Sequence, residues 1–98
     1  MKKINVVYFE QYSDADILLV QDQFAENVDK MLQEFFDYVA APENRNRFLV
    51  PLNGRMVLGI GTKELIWWLN NVAFPNNEEA SIVKRHTSYC KGIPTAYM

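Results

Sequence analysis

Asn53-Gly54 stands between two largely apolar runs, Arg47 to Leu52 and Arg55 to Ile60. A two-residue connection between antiparallel strands needs positive φ at both central positions. Asparagine tolerates that and glycine adopts it freely, so the pair specifies a type I′ β-hairpin. No other short stretch of the chain restricts its fold as firmly. Pro51 lies in the first of the two runs and has no amide proton. Its strand must therefore sit at an edge, or turn that position outward.

The segments around the hairpin follow from local pattern. Lys3 to Glu10 reads as a first strand, because Ile4, Val6, Val7, Tyr8 and Phe9 are β-branched or aromatic and no breaker intervenes. Ser13 with Asp16 has capping-box spacing. Apolar residues then recur at Ile17, Phe24, Val28, Met31 and Phe35, beside a row of Leu18, Ala25, Leu32, Phe36 and Val39. That spacing predicts a helix, ended at Ala41 by Pro42. Ile17 to Val20 admits two readings. It is either the start of this helix, from about residue 14 with a kink near Asp22, or a second strand hairpinned to the first across Tyr12 to Ala15. Leu19 and Val20 fall off the helix's apolar face, which argues for the strand. The helical reading enters the element order given below, and a helix over Asp22 to Ala40 holds under both.

Beyond the hairpin, Gly59-Ile60-Gly61 breaks the strand and Thr62 is expected to cap a helix. Leu65, Trp68, Leu69 and Val72 form its inward stripe, and Phe74-Pro75 ends it. Asn76 or Asn77 then opens a last predicted helix. Glu78 and Glu79 fall in its first turn, Lys84, Arg85 and Lys91 toward its end, and Gly92 after it, in keeping with the helix dipole and glycine stop chemistry. Ile82, Val83, His86, Tyr89 and Cys90 give its buried face, and the tail is held through Ile93 and Tyr97. The expected architecture is one α+β domain over residues 1–98, in the order β-α-β-β-α-α, with helices packed on a mostly antiparallel sheet.

Composition narrows the class. Hydrophobic residues make up 49% and charged residues 22% of the 98 positions, which supplies a core and excludes a disordered chain. Cys90 is the only cysteine, so no internal disulfide exists, and a reducing compartment is favoured. Ile4 to Tyr8 is too short for a signal-peptide core, and the longest apolar runs reach about four residues where a membrane span needs about 20. The chain reads as a soluble, cytoplasmic, full-length product without membrane association.

Charge is unevenly spread. Glu10 to Glu43 holds nine carboxylates and one lysine, a net −8, while residues 44–98 net +4. The whole-chain value of −2 hides this. Asp22, Glu26, Asp29, Gln33 and Asp37 share one face of the predicted long helix, opposite Phe24, Val28, Met31 and Phe35. Such a face suits a basic partner. Trp67 shares a helix face with Asn71 and Phe74, either as the flank of a wide core or as an exposed anchor of the kind found at binding hot spots. The binding set expected from sequence is Asp22, Glu26, Asp29, Asp37 and Trp67.

Other chemistry finds little support. Gly59-x-Gly61 followed by Thr62-Lys63 resembles half a phosphate loop, but Glu64 stands where a third glycine is needed and the Walker spacing fails. His86 and Cys90 are four apart, yet no other His or Cys exists to complete a zinc site, and both fall on the apolar stripe as packed residues. No loop gathers the oxygen ligands of a calcium site, and no carboxylate pair stands out for acid–base work. No metal, cofactor or catalytic residue is expected. Arg45, Arg47 and Arg55 flank the hairpin and offer an alternative, a nucleic-acid-binding or regulatory role. An isoelectric point near 5.3 and the acidic helix oppose it. The expected function is a small binding protein that blocks a basic partner, most concretely an immunity protein for a nuclease-type toxin, with room left for a homo-oligomer.

Overall fold

The computed structural model describes residues 1–8 and 14–98. Expectations for Phe9 and Glu10, the end of the first strand, and for Tyr12 and Ser13, in the turn and helix cap, lie outside the described residues. The fold is α+β, as the pattern predicts.

β1 (Lys2–Val7) and β2 (Ala15–Val20) pair antiparallel, with Ile4 opposite Leu18 and Val6 opposite Asp16. Ile17 to Val20 is therefore strand, not the opening turn of a helix. The sheet explains why the pattern is ambiguous. Leu18 and Val20 face the helices, whereas Ala15 and Ile17 face the other way and are also buried. A strand covered on both faces shows a continuous apolar run, which periodicity does not separate from a helical turn.

The polypeptide leaves β2 into α1 (Asp22–Glu26) and α2 (Val28–Ala40). The single helix expected over this span is broken at Asn27, which adopts φ −138° and ψ 42°. Its side-chain amide donates to the Gln23 carbonyl at 2.9 Å, a local bond that competes with helix continuation. α2 buries Val28, Met31, Leu32, Phe35 and Val39 as its spacing requires. Each fully buried side chain of this kind contributes about 1.5–3 kcal/mol relative to exposure. Pro42 opens a short α3 (Pro42–Arg45), and a 3₁₀ turn over Asn46–Phe48 leads to the hairpin.

β3 (Leu49–Leu52) and β4 (Arg55–Leu58) pair as a separate two-stranded sheet. Asn53 and Gly54 take φ of 51° and 78°, so both turn residues occupy the positive-φ positions read from sequence. α4 (Thr62–Trp68) follows and continues as a π turn over Leu69–Ala73, closed by the Phe74 amide on the Leu69 carbonyl at 2.9 Å. Leu65, Trp68 and Leu69 are buried as expected, but Val72 is 37% exposed. The wider π turn carries Val72 off the stripe that ideal helical spacing assigns to it.

The predicted last helix is absent. Its centre is β5 (Ser81–Thr87), antiparallel to β2, and the tail forms β6 (Thr95–Tyr97), parallel to β1. The four-stranded order is β5-β2-β1-β6. β2 offers a free edge that β5 fills, and Ile82, Val83 and Thr87 are β-branched residues suited to it. Lys84 and Arg85 fit an outer strand, where charge discourages further pairing. The positive φ of Gly92, 87°, serves a turn before β6 rather than a helix stop. In the tail, Ala96 is fully buried, and Tyr97, 49% exposed, pairs with Val7 in the ladder.

Helices cover the face of Ile4, Val6, Leu18 and Ala96, where Phe24, Phe35, Leu65, Trp68 and Leu69 complete the core. The opposite face carries Asn5, fully buried. Its amide donates to the Cys90 carbonyl at 2.8 Å and accepts from the Cys90 N–H at 3.0 Å. It thereby holds the segment between β5 and β6 over the sheet.

Candidate functional site

The acidic residues divide into two groups. Asp22 and Glu26, on α1, close onto the beginning of β1. The Met1 α-ammonium lies 2.9 Å from Asp22 and the Lys2 ammonium 3.2 Å from Glu26. The hydrogen bond from that α-ammonium holds the Asp22 carboxyl below its ordinary range, against desolvation and with help from the charges of the ammonium and Lys2. Asp29 and Asp37 lie on α2, beyond the break at Asn27, and are exposed together with Glu34 and Lys30. Asp37 accepts from the Gln33 amide at 3.0 Å. No cation stands within ion-pair distance of Asp29, Glu34 or Asp37 among the described residues. The five-residue face read from sequence is thus interrupted at Asn27, with its first two carboxylates tied to β1.

Trp67 belongs to neither group. It is half-buried, with ring centroids 6.1 Å from Phe48 and 6.4 Å from Tyr38. The Arg47 guanidinium sits 4.5 Å from its ring centroid, a cation–π arrangement. Arg47, Phe48, Lys63, Glu64 and Trp67 line an open cavity of about 260 Å³ at the base of the hairpin. A second groove of about 450 Å³ runs between the helices, over Met31, Trp68, Val72 and Phe74, with Lys30 and Glu34 among its lining.

The hairpin itself is unusually apolar for an exposed element. Val50, Leu52, Met56 and Leu58 are 43%, 57%, 59% and 36% exposed, and they occupy both of its faces. Gly59 lets the ribbon close at its base, because a Cβ there would stand 2.9 Å from a Val50 methyl. The first glycine of the Gly59-x-Gly61 pair therefore serves packing. At Gly61 an added Cβ would meet only ordinary contacts, at 3.5 Å.

One polar cluster went unnoticed in the sequence. Asp16 is 2% exposed and accepts from the Thr62 hydroxyl at 2.6 Å and the His86 N–H at 3.1 Å, with the Arg85 Nε at 3.5 Å. Because the Thr62 hydroxyl donates to Asp16, it accepts from the Tyr8 hydroxyl at 2.5 Å, and Tyr8 in turn accepts from the Thr62 N–H at 2.8 Å. Thr62 is therefore not the cap of α4. It ties the helix to the sheet through Asp16. The register of β5 slips beside Asp16, so that Arg85 and His86 both oppose it, and His86 takes a φ of 51°. The His86 ring then meets Asp14 at 2.9 Å in solvent. His86 and Cys90, expected as packed neighbours on a helix, are both exposed, one on the edge strand and one in the following segment. The Asp16 cluster could have been suspected only from pairing Asp16 with β5, which the helical reading of both segments forbade.

Among the described residues no group of three or more His, Cys, Asp or Glu is placed to hold a metal ion. No helix among them is long and apolar enough to cross a membrane. Comparison with protein-family models, with curated proteins and with solved structures finds no match to this chain.

Proposed function

We propose that this chain is a small protein-binding module acting in the cytoplasm, and that the exposed face of α2 receives a basic protein. One observation carries the reading. Asp29, Glu34 and Asp37 stand in solvent with Lys30 as the only base of α2, and no cation neutralises them among the described residues. The ion pairs of Asp22 and Glu26 give those two carboxylates a structural use. The α2 carboxylates have no such ion pair among the described residues, and their mutual repulsion opposes the fold. A nuclease-type toxin is the most concrete partner, because its substrate cleft must be lined with cations and association with an acidic surface is electrostatically steered. The chain would then serve as its immunity protein. The nucleic-acid alternative through Arg45, Arg47 and Arg55 has less support, because the isoelectric point near 5.3 and the acidic face of α2 oppose a long polyanion.

The test combines capture from the native host with kinetics. Replacing Asp29 and Asp37 by lysine is expected to slow association about tenfold at low salt and to flatten its salt dependence, with the fold intact. A captured partner that binds this variant at an unchanged rate and with the same salt response would overturn the reading.

A further inference from the structure

We infer that the outer edge of β4 is a docking site for an extended acidic segment of another protein, which adds to the hairpin as a third strand. This surface is separate from the acidic face of α2. The hydrogen-bond alternation fixes which groups are free. The Gly59 N–H bonds the Phe48 carbonyl at 2.7 Å, and the tight turn closes Leu52 on Arg55. The narrow pairs are therefore Phe48/Gly59, Val50/Val57 and Leu52/Arg55, and the N–H and C=O groups of Met56 and Leu58 point away from β3. Among the described residues no third strand accompanies this sheet, and none of their groups bonds those four.

The two edges of the ribbon differ. On β3 the outward amide position at residue 51 is proline, which cannot donate. On β4 the outward positions, Met56 and Leu58, both keep their amide protons. Met56, Leu58, Leu52 and Val50 are exposed on the two faces, ready to be covered by the alternating side chains of an added strand. A lone two-stranded ribbon is marginal in water, and a third strand stabilises it.

Charge selects the occupant. Arg45, Arg47, Arg55 and Lys63 surround the hairpin, and none has a carboxylate within ion-pair distance among the described residues. Arg47 and Lys63 also line the cavity at its base, where Trp67 and Phe48 give it an apolar wall. Two copies of β4 pairing about Val57 would set Arg55 of each beside Gly59 of the other, toward the Lys63 end, where like charges oppose. A segment bearing carboxylates is instead attracted by these bases, with Glu64 on the cavity wall as the opposing charge.

The experiment titrates the full chain with a short peptide alternating Glu and Val, and with its Lys/Val counterpart, following backbone amide resonances. The expected result is that the acidic peptide protects the Met56 and Leu58 amides from exchange and binds at least about tenfold more tightly than the basic one. Met56→Pro leaves the internal ladder intact, because residue 56 donates outward, and is expected to abolish the protection at Leu58. Arg55→Glu, at the exposed tip, is expected to weaken binding by a similar factor at low salt. Equal binding of both peptides, or unchanged binding to both variants, would overturn the inference. So would concentration-dependent dimerisation abolished by Met56→Pro without peptide, since the occupant would then be a second copy.

Discussion

Cys90 follows β5 with its thiol exposed, held in place through its backbone by Asn5. A thiol reagent is therefore expected to label it in the native state nearly as fast as in denaturant, a rate comparison that checks its exposure directly. Asp16 presents the opposite case, a carboxylate buried where its strand meets α4. Asp16→Ala strands the Thr62 hydroxyl and the His86 N–H without their acceptor and removes the partner of Arg85. At about 1–3 kcal/mol per buried group left unpaired, the loss should be roughly 3 kcal/mol in a thermal or urea melt. Thr62→Ser keeps the hydroxyl and should cost far less. Asp22 adds a pH dependence. Its folded carboxyl lies below the ordinary range because the Met1 ammonium bonds it. The stability this pair contributes is complete above about pH 4, where the unfolded carboxylate is also ionised, and is lost as pH falls through the lower folded value. The stability gap between the wild type and Asp22→Asn should therefore close in acid.

At the scale of elements, the hairpin was legible because its turn chemistry is local. Asn53-Gly54 states the required φ values wherever the segment lies. Gly54→Val tests this cleanly, since a Cβ at that position meets nothing within 4 Å. Any cost is conformational, about 1–2 kcal/mol for a branched side chain at positive φ, read from a melt. α2 was legible for a similar reason, its apolar period running over thirteen residues. β5 was misread, and β2 stayed open between helix and strand, because what decides them is pairing. Glu78, Glu79, Lys84, Arg85 and Gly92 imitate helix ends, but those cues contribute only tenths of a kcal/mol each, less than filling the open edge of β2. The acidic residues were legible as a charge excess. Their division was not, because the ion pairs of Asp22 and Glu26 depend on where β1 begins in space.

The molecule joins two parts of unequal cohesion. β1 and β2 lie in the middle of the larger sheet, with helices on one face and the Cys90 segment on the other, and Ile4, Val6, Leu18 and Val20 are fully buried. The hairpin packs mainly on itself, and its apolar residues stand in solvent. Opening it exposes little new apolar surface, so its free energy of opening is small, whereas opening β1 from β2 dismantles the core. Amide hydrogen exchange should therefore be fastest, among ladder amides, at Val50 and Val57 and slowest in β1 and β2. Phe35→Ala separates the two parts further. Phe35 is fully buried against Phe36 and Trp68, and its truncation should cost about 3–5 kcal/mol globally. Protection in β1 and β2 should fall by that amount, while exchange at Val50 and Val57 should barely change if the ribbon opens on its own. Equal slowing or quickening at both places would mean that the hairpin opens only with the whole domain. Its exposed residues would then share the stability of the core, and a binding partner could order nothing there that folding had not already fixed.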